Sequence, residues 1–302
     1  MSASIKIFEP LYAPGQVLSE QAFYPLEMRD NAHAAWREFY ILVDMYRKGM
    51  HRQQQITGLF SPKFALKARV DGSRFLEFVQ ANAGADVWMI NPFPQLAYFS
   101  YTAWMQGEHA HPGLVERSQQ LLDACGIAWN LREAPRQSPH TLCYCNFWVG
   151  SESFWENYVG KVLEPIATFL ETQSGTEAAR GVLEPTVHSD DAPFLPFVAE
   201  RLFSTYLSLR PELKVAAYPI EGDQVLDYCV SDFEKDIVRY MQKPIDAADR
   251  APVFPSEQIA LMDLLCTLSQ KYVRAHFSFT PHPHTGQPID FDRAGKPPVT
   301  NE

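Results

Sequence analysis

The chain has 302 residues, enough to bury a large core as one α/β domain or as one domain with a smaller helical part. Hydrophobic residues make up 46% and charged residues 21%, the balance of an ordinary globular protein rather than a disordered chain. With 26 basic and 36 acidic side chains the formal net charge is -10, and no basic run offers a footprint for nucleic acid.

In chain order, residues 5–11 read as a first strand, and residues 23–26, F-Y-P-L, as an extended arm after a Pro14-Gly15 loop. Asn31 is placed to cap a helix over 32–48, where Trp36, Phe39, Tyr40, Val43 and Tyr46 recur at helical spacing. A strand over 56–60 turns at Ser61-Pro62, and Asp71 or Ser73 opens a helix carrying Phe75, Leu76, Phe78 and Val79. The next strand, 86–90, breaks at once into Asn91-Pro92-Phe93-Pro94, a rigid polar turn in which the prolines fix φ. Helices are predicted over 95–106 and 112–125, with Gly126 as the exit of the second.

A strand over 141–149, T-L-C-Y-C-N-F-W-V, follows, and then a helix from Ser151 or Ser153 to about 170 that Pro165 kinks. On that strand Cys143 and Cys145 alternate with Tyr144 and are expected to be buried thiols on one face. Residues 173–185 are poorer in apolar periodicity and are expected to be exposed or adjustable, whereas the run from His188 leads into a strongly apolar helix. A strand over 214–218 and helices over 232–241 and 256–272 complete the pattern, with a polar, Pro-rich tail from 281. The alternation predicts an α/β fold with a mostly parallel or mixed central sheet and flanking helices. The expected division is a catalytic α/β region over 1–220, a helical portion packed on it over 221–280, and an extended or disordered tail over 281–302.

Open α/β sheets bind ligands beyond the carboxyl ends of their strands, which directs attention to the turn at Asn91. Lys63 and Lys67, with Arg69, form the best positive cluster of the first half, suited to an anion such as a diphosphate. Glu108, His109 and His111 are metal-capable, but a two-residue spacing of histidines converges on a strand or turn and diverges on a helix. His140 and Asn146 are candidate contacts to a phosphate or a sugar hydroxyl. Asp190 and Asp191 are candidate general bases or cation ligands, and Glu200 is a candidate for orienting Arg201 or a loop. Neither G-x-G-x-x-G nor a Walker A run occurs.

Five stretches together carry a family resemblance: G-L-F-S-P-K-F at 58–64, D-V-W-M-I-N-P-F-P at 86–94, Q-G-E-H-A-H-P-G at 106–113, Y-C-N-F-W-V-G at 144–150 and A-E-R-L-F-S-T-Y-L at 199–207. As an ensemble the chain resembles bacterial glycosyltransferase-like proteins of capsule or surface-polysaccharide synthesis, over roughly the first 220 residues. The resemblance implies a GT-A-like fold that transfers sugar from a nucleotide-sugar donor to a saccharide or lipid-linked saccharide acceptor. It implies Lys63, Lys67 or Arg201 at the pyrophosphate, Asn91, Glu108 and His109 at the sugar, and Asp191, Asp190 or Glu108 as the base.

Many proteins of that fold hold a divalent cation, Mn or Mg, with D-x-D, which this sequence lacks; metal dependence therefore stays open. The alternatives are a metal-dependent hydrolase or transferase centred on His109, His111, Asp190 and Asp191, and a carbohydrate-binding or assembly protein without turnover. Other polysaccharide-synthesis proteins are possible partners. Five irregularly spaced cysteines specify no disulfide framework, and no long apolar run reads as a signal or a transmembrane segment. The expected location is the cytoplasm, with a peripheral seat on the inner face of the membrane left open.

Overall fold

The computed structural model describes residues 4–28, 31–186, 192–283 and 286–291. Strand β1 (Ile5–Leu11) lies parallel to β2 (Tyr24–Glu27), with Phe8 opposite Tyr24, so the expected extended arm is an edge strand. Buried Glu9 ties the connection: its carboxylate accepts the N–H of Ser19 at 2.7 Å and of Glu20 at 3.1 Å. Helix α1 (Glu38–Arg47) starts later than the apolar spacing predicts. A 3-10 turn at Ala34–Trp36 and a left-handed Arg37 (φ 52°) precede it and break the helical path. Strand β3 (Ile56–Leu59) leads through Ser61-Pro62 into α2 (Phe64–Ala68). Then α3 (Gly72–Ala81) is capped by Asp71, which accepts the Arg74 N–H at 2.8 Å.

After β4 (Val87–Met89) the single helix expected over 95–106 divides into a 3-10 turn, Pro94–Tyr98, and α4 (Ala103–Ala110). Thr102 caps the second piece by accepting the Met105 N–H, which fixes the break. Helix α5 (Leu114–Ala124) follows Gly113 at φ 88°. The predicted strand over 141–149 is corrected most: only β5 (Trp148–Ser151) is strand, and 141–147 is a folded loop.

The following helix is interrupted as well. Helix α6 (Glu152–Tyr158) widens into a π turn, Val159–Leu163, before α7 (Glu164–Thr172). Pro165 has no N–H for the Lys161 carbonyl, so the chain takes a wider spacing ahead of it. Helix α8 (Glu177–Leu183), the short ladder of β6 (Pro185–Thr186) and β7 (Ala192–Pro193), and α9 (Leu195–Ser208) come next. Strand β8 (Val215–Ala217) precedes α10 (Gln224–Asp227), α11 (Asp232–Asp249) and α12 (Ser256–Phe277), the last two longer than predicted. Residues 281–283 and 286–291 contain no helix or strand.

The strands form one mixed sheet in the order β2-β1-β3-β5-β4-β8, in which β5 alone runs antiparallel to its neighbours. Side chains alternate between its two faces. Phe8, Leu59, Val87, Met89 and Trp148 join the main core with α1, α5, α6, α7 and α9. Ile7, Ile56, Trp88, Ile90 and Val149 pack on the other side with Phe60, Phe64, Phe75 and Val79. The architecture is thus a mixed central sheet flanked by helices. Helices α10 to α12 bury Val225, Ile237, Val238, Met241 and Met262 against Tyr98 and Phe99. Among the described residues no helix is long and apolar enough to cross a membrane.

Close sheet packing makes Gly58 a sensitive position. A Cβ there would stand 2.5 Å from Val149 Cγ1 and 2.7 Å from the Trp148 carbonyl oxygen. Gly58→Ala is expected to lower the unfolding free energy by about 2 kcal/mol or more in denaturant titration. Gly175→Ala, with nothing within 4 Å, serves as the near-neutral control.

A second stability prediction concerns α11. Ser231 and Glu234 form its capping box: Ser231 Oγ accepts the Glu234 N–H, and Glu234 Oε2 accepts the Val230 N–H at 2.8 Å. Burial pushes the Glu234 carboxyl up to about 7. A carboxyl raised on folding favours the protonated state, so its contribution is greatest below the unfolded value and falls as pH rises towards 7. Glu234→Gln should therefore gain on wild type between pH 5 and 8, by on the order of 2 kcal/mol in pH-resolved unfolding. A constant difference across that range would refute the account.

Candidate functional site

At the carboxyl ends of β3 and β4, and at the entry to β5, three loops meet. The first carries Lys67 on α2, whose inner face is anchored by buried Phe64 and Ala68. The second is the turn after β4. Asn91 Oδ1 accepts the Phe93 N–H at 3.0 Å and, more weakly, the Tyr144 N–H at 3.4 Å; its Nδ2 donates to the Phe93 carbonyl at 3.3 Å. Asn91 therefore closes its own turn and ties it to the third loop.

That third loop is 141–147. Cys145 (φ 61°) and Asn146 (φ 53°) are consecutive left-handed residues, and neither is glycine. Helix α9 holds them there. Ser204 Oγ accepts the Cys143 N–H at 2.9 Å and donates to the Cys143 carbonyl at 3.1 Å, while Glu200 Oε1 accepts the Cys145 N–H at 2.7 Å. Residues 200 and 204 are one helical turn apart, so both face the loop.

The turn brings Cys145 Sγ to 3.2 Å from Lys67 Nζ, which also lies 6.0 Å from the centre of the Phe93 ring. The prediction of two buried thiols on one strand face is corrected accordingly. Cys143 is buried as expected, but Cys145 is on a left-handed turn beside a lysine. Burial pushes the Cys145 thiol up to about 12, against the pull of Lys67, so it is neutral at physiological pH. Lys67 is held above its ordinary range by the Cys145 sulfur first, against burial, and then by Glu200 and Glu38. Because the sulfur is uncharged below high pH, the carboxylates are the operative part of that effect.

The structure therefore joins Lys67, Asn91, Asn146 and Glu200 through one loop. Asn146 is 8% exposed, and its Oδ1 is buried without a hydrogen-bond partner among the described residues. Glu38, in the first turn of α1, is a contributor that sequence reading missed; only its place after the helix-breaking Arg37 marks it, and no spacing signals it.

Other expected site residues lie elsewhere or have structural partners. Lys63 and His140 are exposed. Glu108 caps α5, accepting the N–H of Gly113 at 2.7 Å and of Val115 at 2.9 Å. His109 Nε2 is 2.9 Å from Asp263 Oδ1 on α12, whereas His111 is buried, stacked 3.9 Å from Phe197, with Nδ1 3.3 Å from Thr186 Oγ1. The two histidines thus face different neighbours. Arg201 is buried and donates to the carbonyls of Ala103 and Phe197 and to Gln106 Oε1. It lies 3.5 Å from Glu200 Oε2, so Glu200 contacts both Arg201 and the loop as expected. Asp190 and Asp191 lie outside the described residues. Among the described residues no group of three or more His, Cys, Asp or Glu side chains is placed to hold a metal ion. Comparison with protein-family models, curated proteins and solved structures finds no match for the chain.

The state of the Lys67–Cys145 pair is directly measurable. At pH 8 about a quarter of an ordinary thiol is thiolate. With its thiol at about 12, Cys145 would be about one part in ten thousand. Peptide mapping after iodoacetamide treatment of the folded protein should show Cys145 labelled far more slowly than a model thiol. Labelling at the model rate would contradict a neutral sulfur.

Proposed function

We propose that this carboxyl edge is the donor site of a GT-A-like glycosyltransferase, which moves a sugar from a nucleotide-sugar to a saccharide or lipid-linked saccharide acceptor. The observation that carries the reading is the state of Lys67. Its ammonium has three donors, yet among the described residues it makes one hydrogen bond, to a neutral sulfur, and no ion pair with a carboxylate. A shielded cation in that condition gains most from a bound anion. The resemblance carried by the five stretches supplies the class of anion, the diphosphate of a nucleotide sugar.

In this reading Lys67 offsets the charge that builds on the departing diphosphate, and the unpaired Asn146 Oδ1 accepts from a sugar hydroxyl. Glu200 is the described carboxylate at this edge suited to take the acceptor proton; Asp190 and Asp191, which precede the same helix, are its alternatives. The described residues do not gather a donor set for Mn or Mg, so no step is routed through a cation. Asn91 shapes the rim by holding the Phe93 turn.

The test is a panel of nucleotide sugars, read by calorimetric binding and by release of UDP, GDP or CMP on addition of saccharide acceptors. One donor should bind, and Lys67→Met should weaken it by about tenfold or more, the scale of one lost charge-assisted hydrogen bond. Absence of binding by every donor at millimolar concentration would end the donor-site reading. Binding without release under any acceptor would replace transfer by carbohydrate or nucleotide recognition alone.

A further inference from the structure

A concavity lies near the amino end of β4 and β8. It has a volume of about 460 Å³, within the size range of small-molecule sites, and Trp129, Tyr206, Asn157, Lys161, Arg210 and Glu212 line it. Its position follows from β4 and β8. Asp86, just before β4, accepts the Lys214 N–H at 2.8 Å, so Glu212 sits at the amino end of the strands whose carboxyl ends carry the Lys67 site.

The lining is amphipathic in a specific way. The Trp129 and Tyr206 rings pack on each other at 6.3 Å, tilted by 41°, with the half-buried Trp129 as the more open aromatic surface of the lining. Tyr206 is only 4% exposed, yet its hydroxyl makes no hydrogen bond among the described residues; Trp129 Nε1 likewise has none. Both polar ends keep solvent access instead of being sealed in the interior, and both belong to residues that line the cavity, where a ligand's hydroxyls can reach them. Lys161 comes from the π turn, an irregularity that recurs at functional positions, and its Nζ donates to Asn157 Oδ1 at 2.7 Å without a carboxylate partner among the described residues. Arg210 is 3.7 Å from Glu212, so the rim holds two cations and one anion.

We propose that this cavity is a binding site for a saccharide carrying a carboxylate. The aromatic surface suits the apolar face of a sugar ring. The Tyr206 hydroxyl and the Trp129 N–H offer the acceptor and donors that sugar hydroxyls require, and Lys161, steadied by Asn157, takes the acidic group. The site goes beyond the donor reading and does not depend on it, since none of its residues belongs to the Lys67 edge.

The experiment uses the full chain, a disaccharide ending in glucuronate, and the neutral glucose-ended counterpart, followed by tryptophan fluorescence and calorimetry. The acidic disaccharide is expected to bind, with the neutral one at least about tenfold weaker. The exposed substitution Lys161→Met should remove most of that preference, and Trp129→Ala should abolish the fluorescence response. Neither change should alter nucleoside diphosphate binding, which separates this site from the Lys67 edge. Absent binding, equal binding of the two disaccharides, or binding indifferent to both substitutions would overturn the proposal. Circular dichroism of each variant establishes that it is folded before its binding is read.

Discussion

The grip of α9 on the loop before β5 is the constraint on which the carboxyl edge depends. Cys145 and Asn146 each adopt a left-handed conformation that costs a non-glycine residue on the order of 1–3 kcal/mol. Glu200 offsets this with a charge-assisted hydrogen bond to the Cys145 N–H, a type that contributes about 1.5–3 kcal/mol. The reciprocal Ser204–Cys143 pair adds two neutral bonds of about 0.5–1.5 kcal/mol each. The magnitudes are comparable, so the turn persists because the helix holds it. Remove the grip, and Cys145 no longer faces Lys67.

One helix thus divides its work by geometry. Consecutive residues on α9 diverge by about 100°, so Glu200 reaches the loop while Arg201 turns to the Ala103 carbonyl of α4. The two nevertheless stay paired at 3.5 Å, and Arg201 lies 5.7 Å from the centre of the Tyr144 ring. Arg201 is thus committed to α4, to its own helix and to Glu200, and Lys67 is the cation that bonds the loop at Cys145. The Lys67 ammonium beside a neutral sulfur, with Glu200 and Glu38 at longer range, is polar, partly shielded and incompletely paired. Low local dielectric strengthens any anion that completes it.

Much of the frame is legible in the sequence, because strands and caps are local. Residues 5–11, 56–60, 86–90 and 214–218 each contain a strand of the sheet, and Asp71 caps its helix by the rule that points to it. The site is legible in part. Lys67, Asn91, Asn146 and Glu200 stand out as residues, but their relation does not. T-L-C-Y-C-N-F alternates like a strand, and nothing local announces two left-handed residues in it. That conformation is imposed by a carboxylate 55 positions later in the chain. Glu108, His109 and His111 show the opposite relation between sequence and structure. Their density resembles a ligand cluster, whereas each has a separate structural partner: Glu108 caps α5, His109 hydrogen-bonds Asp263 of α12, and His111 stacks on Phe197.

The central claim is that Lys67 awaits an anion at the carboxyl edge. The most direct measurement is a crystal structure of the full chain with a nucleoside diphosphate bound. The account predicts a phosphate oxygen within hydrogen-bonding distance of Lys67 Nζ, with the Cys145–Asn146 turn and its Glu200 contact retained. A diphosphate seated elsewhere, with Lys67 still bonded only to Cys145, would contradict it.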